Sequence, residues 1–476
     1  MSKPAATPAP NPAPAHSTRA PGPGDEFQWE VQPLAERVVQ NVLDEAAARS
    51  PFVAELKKRM RDETGTRLFD WVDHLVVPDA GGLRESLRNA GFIGRFAAGA
   101  GECFVNEEGI FPPILPSHEQ VLRVAIKVES VADFLAVWQM NPDEPVEGDP
   151  LSPMRRARVS LEDDVEVSVV ERHGYRGYRA QEMPPEKAVL VLKHAEAFRL
   201  RRRAFDNPAD GFAHANALVD AAIADLGVDR ACELFFASER EYWQRRNRAA
   251  QVQKSRQDRL GLGWANHDHH TYRSSREHFA PLIATFEKLG FHCRERFYAG
   301  HDAGWGAQVL EQPTAGVVIF ADVDMSPDEV LGDFSHHGLA PRDALGTVGL
   351  WCALHGEAFL EAGMHHLECQ FDFEALKQQL ESEQGVKVMK PFTNFPHLRQ
   401  AFTEGEVWPV RPERIERLLA ARRITPEQAK QFREKGALGS HLENLERNQG
   451  FKGFNQTGIS EIIARTDPRA QHARSV

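Results

Sequence analysis

The sequence predicts an α+β protein built from mixed β-sheets, with a helical segment in the middle of the chain. Three observations support this class. Strand-like and helix-like stretches alternate before about residue 185. A continuous helical pattern fills 186–255, and strands and helices alternate again from 256 onward.

The region 25–185 is predicted to be an N-terminal α+β module. Alternating apolar and β-branched residues predict strands, and 3.6-residue periodicity predicts helices. The strands are expected at 68–77, 121–128 and 165–172, and the helices at 39–61 and 83–90. A strand, a helix and then several strands is the order of a βαβββ module.

Three further boundaries follow from composition. Residues 1–24 contain seven prolines and almost no apolar bulk, which predicts a disordered tail without a secretory leader. The helical residues 186–255 are expected to connect two modules. Residues 256–470 are expected to form a metal-binding catalytic domain.

Composition excludes several classes of function. Lys+Arg total 57 against 69 Asp+Glu, a net charge of −12, which argues against a nucleic-acid binder. We interpret the basic run 199–203 as a solvated helix face or a contact between subdomains. No apolar run is long enough for a membrane helix. The five cysteines form no CxxC pair, so a reducing cytoplasm is the expected compartment. The sequence does not predict an oligomeric state.

Histidines are concentrated in one part of the chain. Eleven of the 20 lie between positions 267 and 366. The first cluster lies in a predicted strand, where alternate residues share a face. This places His267, His269, Thr271 and Arg273 together. A ligand histidine followed by an arginine suits an anionic chelating substrate, because the guanidinium can bind a carboxylate in a bidentate fork.

The second cluster contains a better and a worse candidate ligand. His366, Glu368 and Gln370 share one strand face. His365 lies on the opposite and more apolar face, which suits packing. His366 is therefore the predicted second ligand, because a polar face can line a binding cup.

A third ligand completes the predicted metal site. Two histidines and one carboxylate form the facial triad of non-haem Fe(II) oxygenases and leave three positions open. Glu443, in the candidate strand 439–447, can supply the carboxylate. Glu311 is the competing carboxylate and lies nearer in sequence, before the apolar strand 316–323.

These residues resemble a known family. DHHTYR (268–273), LHGEAFLEAGMHHLECQF (354–371) and SHLENLERNQGFKGFNQTGISEIIARTDPR (440–469) are similar to segments of the 2-oxoadipate dioxygenase/decarboxylase family, also called hydroxyglutarate synthase. The resemblance covers 256–470. The family residue before the second histidine is usually Asn, whereas here it is His365, and Glu368 replaces a small hydroxyl residue.

The resemblance implies a fold and an activity. The fold would be glyoxalase-like (vicinal oxygen chelate), with a curved mixed sheet around a metal, and 25–185 would be a degenerate module of the same type. Fe(II) would be held by His269, His366 and Glu443. The enzyme would convert a 2-oxo acid such as 2-oxoadipate, with O₂, into 2-hydroxyglutarate and CO₂, as in lysine catabolism. Arg273 would bind the distal carboxylate, and Gln370 and Gln456 would add hydrogen bonds.

Three alternatives remain open. The DHH tripeptide at 268–270 also occurs in Mn²⁺-dependent phosphoesterases, but Asp70, Asp73, Asp163 and Asp164 lack the expected spacing. Another metal-dependent glyoxalase-like isomerase or dioxygenase would share the triad. A non-catalytic binding protein is the third alternative. His74 and Glu171 could form a second metal site, although a structural role is the simpler interpretation.

Overall fold

The strands of the chain form two separate mixed sheets, one from each half of the sequence. The computed structural model describes residues 29–97, 99–141, 145–301, 303–455 and 466–469. The predicted disordered tail, 1–24, lies outside the described residues, as does Gln456. In the part of the chain that is described, no helix is long and apolar enough to cross a membrane.

The first sheet has seven strands in the order β2-β3-β4-β1-β5-β7-β6. These are β1 (Val72–Pro78), β2 (Ile93–Ala97), β3 (Gly101–Val105), β4 (Ile114–Ser117), β5 (Leu122–Lys127), β6 (Met154–Glu162) and β7 (Val165–Arg172). The predicted strand 165–172 is confirmed. The predicted strand 68–77 begins later, because Leu68–Trp71 is a 3-10 turn.

The second sheet has nine strands, in the order β13-β14-β16-β12-β8-β11-β10-β9 with β15 paired to β16. These are β8 (His267–Arg273), β9 (His292–Tyr298), β10 (Trp305–Gln312), β11 (Val317–Asp324), β12 (His366–Gln370), β13 (Thr393–Phe395), β14 (Leu398–Phe402), β15 (Glu406–Trp408) and β16 (Ala437–Arg447).

Helices connect and cover the sheets. The N-terminal half has α1 (Pro33–Arg49), α2 (Pro51–Arg59), α3 (Leu83–Asn89) and α4 (Val131–Val137). The predicted helical segment consists of α5 (Pro185–Leu200), α6 (Pro208–Leu226), α7 (Val228–Gln244) and α8 (Arg248–Asp258). The C-terminal half has α9 (Phe279–Lys288), α10 (Pro327–Val330), α11 (Phe334–His337), α12 (Thr347–His355), α13 (Phe373–Glu383), α14 (Pro412–Ala420) and α15 (Pro426–Lys435). Single π-helical turns occur at Met60–Thr64 and Ala358–Ala362.

Each sheet is assembled from two βαβ-type units that meet at a central antiparallel strand pair. In the second sheet, β8, α9 and β9–β11 form one unit, and β11 returns parallel to β8. The strands β12 to β16 repeat this pattern around α13, and β16 lies parallel to β12. A parallel return requires a crossover, which the helix provides. The first sheet repeats the design about the pair β1 and β5, with one strand fewer in its second unit.

The largest apolar core lies between the second sheet and the connecting helices. Phe236 of α7 packs against Tyr272 of β8, Phe286 of α9 and its own neighbour Phe235 within this core. A separate core fills the space between the first sheet and α1, α2 and α4. The strands β8 and β12 therefore have a packed face behind them, which fixes the position of their opposite face.

Two arginines of the basic run contact the core instead of solvent. Arg201 and Arg203 both donate hydrogen bonds to Glu239 of α7, at 2.9 and 2.5 Å. They also donate to the carbonyl oxygens of Phe359 and Leu360 in the second half. The interpretation of this run as a contact between subdomains therefore holds for these two residues.

Candidate metal centre

His269 lies on β8 directly after a β-bulge, and the bulge determines where its neighbours point. The pairing of β8 with β12 shifts by one residue at Asp268. A bulge interrupts the strict alternation of sides in a strand. As a result, the His267 ring lies beside that of His270, 5.2 Å between centroids, and does not line the cavity described below. The prediction that His267 shares a face with His269 is wrong for this reason.

The bulged residue orients the imidazole of His269. Nδ1 of His269 lies 2.9 Å from Oδ2 of Asp268. Arg447, at the end of β16, donates to both oxygens of Asp268, at 2.8 and 3.1 Å. Because the carboxylate accepts from Nδ1, the proton is on that nitrogen and Nε2 keeps its lone pair. An outer carboxylate of this kind is a common partner of metal-binding histidines.

His366, the first residue of β12, is oriented by a second histidine. Its Nδ1 lies 3.1 Å from Nε2 of His441 on β16. Its own Nε2 points to the carboxylates, 2.7 Å from Oε1 of Glu368 and 3.7 Å from Oε2 of Glu443. Both histidines therefore present Nε2 to the same place.

Two glutamates face these imidazoles from adjacent parallel strands. Glu368 of β12 and Glu443 of β16 are register partners. Gln400 donates to Oε1 of Glu443 at 2.9 Å and holds that carboxylate in position. Oε2 of Glu368 is in close contact with Nε2 of His269 and has no hydrogen-bond partner among the described residues.

The structure brings together the three residues that the sequence predicted as metal ligands. Ligand atoms of His269, His366, Glu443 and also Glu368 all lie within 4.8 Å of one another, and all four residues are buried. Sequence reasoning did not name Glu368 as a candidate ligand. Its position two residues after His366, on the same strand face, could have identified it.

The competing carboxylate does not join this cluster. Glu311 lies on β10, where Arg294 and Lys452 pair with it at 3.5 and 3.8 Å. Within the described ranges, a second set of close ligand atoms comprises His365, His366 and His441, and a more exposed third set comprises Glu287, Cys293 and His336. The set of His365, His366 and His441 shares His366 with the main cluster.

A cavity of about 60 Å³ opens beside the four ligand candidates. Its wall also includes Thr271, Arg273 and Asp322. Most of the remaining wall is aromatic and consists of Phe297, Trp305, Phe320, Phe392, Phe402 and Phe454. Such a wall excludes water and strengthens electrostatic interactions inside the cavity.

Arg273 lines the cavity. The residue is 2% exposed, and its Nε and Nη1 atoms are buried without a hydrogen-bond partner in the described part of the chain. The guanidinium lies over the Trp351 ring, 5.7 Å from the centroid. Its nearest carboxylate is Asp322, with 4.0 Å between Nε and Oδ2. A buried guanidinium in this state can bind an anionic ligand.

The two glutamines predicted to bind substrate have different outcomes. Gln370 does not line the cavity, because its amide donates to Oδ1 of Asp268 at 3.0 Å. Gln370 therefore supports the Asp268 carboxylate, which in turn orients His269, and it does not itself face the cavity. Gln456 lies outside the described residues, and its role stays a prediction.

The N-terminal half contains a histidine in the equivalent place but no equivalent cluster. In the second sheet, the strand partner of His269 is Glu368, and the partner of Glu368 is Glu443. In the first sheet, the corresponding partners of His74 are Ala125 and then Ser168, neither of which is a carboxylate. Glu171 instead accepts hydrogen bonds from Val131 N and from Arg155. In the described residues, His74 and Glu171 belong to no group of close ligand atoms.

The N-terminal aspartates are also engaged elsewhere. Asp70 is paired with Arg67, and Asp73 with Arg172. Asp163 and Asp164 form the turn between β6 and β7. In the described residues, none of these four aspartates belongs to the group of close ligand atoms that includes His269. Their positions therefore give no support to the alternative of a phosphoesterase with two Mn²⁺ ions.

Burial controls the protonation of the site. It lowers the pKa of His269 to about 4 and that of His366 well below its usual value, so both imidazoles are neutral at pH 7. It raises the pKa of Glu443 to about 7 and that of Glu368 well above normal. Burial also acts on Asp268, but Arg447 and His269 outweigh it and hold that pKa well below its usual range. A cation at the cluster would replace the protons on the two glutamates.

Comparisons with known proteins give weak similarities only. No protein-family model matches the chain, and no curated protein matches it. A putative glyoxalase superfamily protein from Ralstonia eutropha is 12% identical, with a TM-score of 0.33 over 57% of this chain and 99% of its own. A 4-hydroxymandelate synthase mutant from Streptomyces coelicolor is 10% identical, with a TM-score of 0.26 over 84% and 98%. An uncharacterized Shigella flexneri protein that includes domain DUF1338 is 11% identical, with a TM-score of 0.25 over 55% and 73%.

Similarity at this level identifies neither a family nor an activity. The strand order of the chain itself carries the fold assignment. Both halves consist of paired βαβ-type units in curved mixed sheets, so the α+β, glyoxalase-like class expected from the sequence is the class that the chain adopts.

Proposed function

We propose that the chain is an Fe(II)-dependent dioxygenase that decarboxylates a 2-oxo acid. The first candidate substrate is 2-oxoadipate, which the sequence resemblance implies. The observation that supports the proposal is the buried set of His269, His366 and Glu443 beside a cavity that also contains the unpaired Arg273.

The donor set fits iron. Each histidine has its Nδ1 occupied by a partner, which leaves Nε2 for a metal. Two imidazoles and a carboxylate are the ligand set of non-haem Fe(II) oxygenases. Bound Fe(II) would activate O₂ for oxidative decarboxylation, and the four electrons that reduce O₂ overall would come from the 2-oxo acid. The overall reaction converts one 2-oxo acid and one O₂ into CO₂ and a 2-hydroxy acid that is one carbon shorter.

The residues of the chain bind and orient the substrate. Positions 269 and 273 are four residues apart on one strand, which corresponds to about 13 Å between Cα atoms. A ligand that lies near His269 and also reaches Arg273 must therefore be extended. Arg273 would bind its distal carboxylate, and the aromatic wall would exclude water from the reacting end.

A second candidate function follows from Glu368. If Glu368 also binds the metal, a six-coordinate ion keeps two free positions, enough for a chelating substrate but not for O₂ as well. Such a site suits a metal-dependent isomerase, in which the metal polarises a carbonyl group. The close contacts of Glu368 with both imidazoles favour this alternative.

Anaerobic reconstitution distinguishes the two functions. The protein is loaded with Fe(II), its metal content is measured, and O₂ uptake and CO₂ release are followed with a panel of 2-oxo acids. We expect one iron per chain and equal amounts of O₂ consumed and CO₂ released. His269→Ala should abolish both iron binding and O₂ uptake, whereas His397→Ala, which lies outside the cluster, should change neither. Isomerisation of a substrate without O₂ uptake would instead support the second candidate.

A further inference from the structure

The carboxyl group of Asp322 and the guanidinium group of Arg273 face the cavity side by side without a hydrogen bond between them. The two residues are register partners on the parallel strands β11 and β8, so their side chains project from the same face. Both residues are 2% exposed and both line the cavity. Their closest atoms, Nε and Oδ2, are 4.0 Å apart, beyond hydrogen-bond range.

The described residues leave part of each group unsatisfied. Within the described ranges, Oδ1 of Asp322 and both Nε and Nη1 of Arg273 are buried without a hydrogen-bond partner. Leaving buried polar groups unsatisfied costs free energy, so such groups in a cavity wall indicate that a molecule bound in the cavity completes their hydrogen bonds.

The next acidic residue on the same strand face shows the contrast. The carboxylate of Asp324 accepts three backbone N–H groups, from Gly346, Val348 and Gly349, at 2.8 to 2.9 Å. Asp324 therefore caps the start of α12 and has a structural role. Asp322 receives no such donor from the described residues, so its carboxylate is available to a ligand.

We propose that Asp322 and Arg273 together bind the α-amino acid end of the substrate, which is then a 2-oxo acid with an ammonium and a carboxylate group at its far end. The carboxylate would accept from the guanidinium of Arg273, and the ammonium would donate to Asp322. This inference rests on the proposed function, because it assumes that the oxo-acid end of the same molecule binds at the metal.

A zwitterionic end fits this wall better than a plain carboxylate. A plain carboxylate would satisfy Arg273 but would disfavour ionisation of Asp322, so only one of the two groups would form a charged hydrogen bond. Burial raises the pKa of Asp322 to about 8, and a neighbouring ammonium group would offset that effect. An α-amino acid carries its ammonium and carboxylate groups on one carbon. It can therefore bind Asp322 and Arg273 at the same time without any change in the distance between the two side chains.

Two stable chelators that differ by one ammonium group test the inference. N-oxalyl-β-alanine has the length of 2-oxoadipate, with an amide nitrogen in place of one carbon. N-oxalyl-2,3-diaminopropionate is the same molecule with an added α-amino group. Their dissociation constants are measured by anaerobic calorimetry on Fe(II)-loaded protein of known metal content.

We expect the amino-bearing chelator to bind about tenfold more tightly, the gain typical of a charged hydrogen bond in a buried site. Asp322→Asn should bring the ratio of the two dissociation constants close to one. Asp328→Asn, which changes an exposed carboxylate in α10 shortly after the end of β11, should leave the ratio unchanged.

Equal binding, or tighter binding of N-oxalyl-β-alanine to the unmodified protein, would overturn the inference and leave the proposed function standing. This comparison needs no variant, so it holds even if Asp322→Asn fails to fold. Failure of both chelators to bind the iron-loaded protein, or failure of the protein to take up iron, would overturn the proposed function and this inference together.

Discussion

Asp73 occupies in the first sheet the position that Asp268 occupies in the second. Each is the bulged residue of the first strand of its sheet, and each binds Nδ1 of the following histidine, at 2.6 and 2.9 Å. Each is also held by the arginine that ends the last strand of its half, Arg172 or Arg447. The two halves therefore share one motif, and among the described residues the histidine of the C-terminal copy faces glutamates, whereas the strand partners in the N-terminal copy are Ala125 and Ser168.

The shared motif provides a matched test of how His269 is oriented. We expect Asp268→Asn to weaken metal affinity by about 10- to 100-fold, because the outer carboxylate fixes the tautomer and raises the basicity of the imidazole. Asp73→Asn makes the same chemical change beside His74 and should leave metal affinity unaltered. Competition with a calibrated chelator measures both. Equal losses in the two variants would show that the effect acts through stability alone.

The two glutamates should contribute unequally to metal binding. Gln400 already holds Glu443, whereas Oε2 of Glu368 has no hydrogen-bond partner among the described residues and lies against the imidazole that would itself bind metal. A ligand that is held by an outer hydrogen bond loses less entropy on binding. We therefore expect Glu443→Ala to lower iron affinity more than Glu368→Ala does. The reverse order, measured by the same competition, would make Glu368 the principal carboxylate ligand.

Most of the site residues predicted from the sequence came from the period-two alternation of side chains along strands. It placed His269, His366 and Glu443 on cavity-facing positions, and the structure brings them together. It misplaced His267, because a bulge at Asp268 leaves no signature in the residue types. Asp322 lies within an apolar stretch and was not predicted as a site residue. It comes next to Arg273 through the pairing of β8 with β11, which the sequence alone does not reveal.

Glu443 and Asp322 should make the metal-free protein less stable as the pH rises from 7 to 9. Burial raises the pKa of Glu443 to about 7 and that of Asp322 to about 8, so each carboxyl binds more protons in the folded state than in the unfolded chain at a pH between its two pKa values. The stability that these two groups contribute is lost as the pH rises through their folded-state values. The buried histidines, whose pKa values are lowered, act in the opposite direction below about pH 6.5, so the comparison is made above that pH. We expect a higher melting temperature at pH 7 than at pH 9, and a smaller difference in Glu443→Gln. An unchanged difference in that variant would contradict the assignment.

Arg273 should affect substrate binding more than the chemical step. If it binds the distal end, Arg273→Gln removes an interaction that is present in both the ground state and the transition state. We therefore expect KM for a dicarboxylic 2-oxo acid to rise by about 10-fold or more, with a smaller change in kcat. Pyruvate, which has no distal group, should show little change in KM. An equal loss for both substrates would contradict this role.

The contact between the helical segment and the second half depends on one buried carboxylate. Glu239 is 1% exposed and accepts from both Arg201 and Arg203. Its neutralisation would leave two buried guanidinium groups without a counter-charge. We expect Glu239→Gln to lower the free energy of unfolding by about 3–5 kcal/mol. Glu241, on the same helix, pairs with Arg199 at 2.8 Å and is 32% exposed, so Glu241→Gln should cost less than about 0.5 kcal/mol. Urea denaturation of the two variants measures the difference, and similar midpoints would show that the buried cluster does not stabilise this contact.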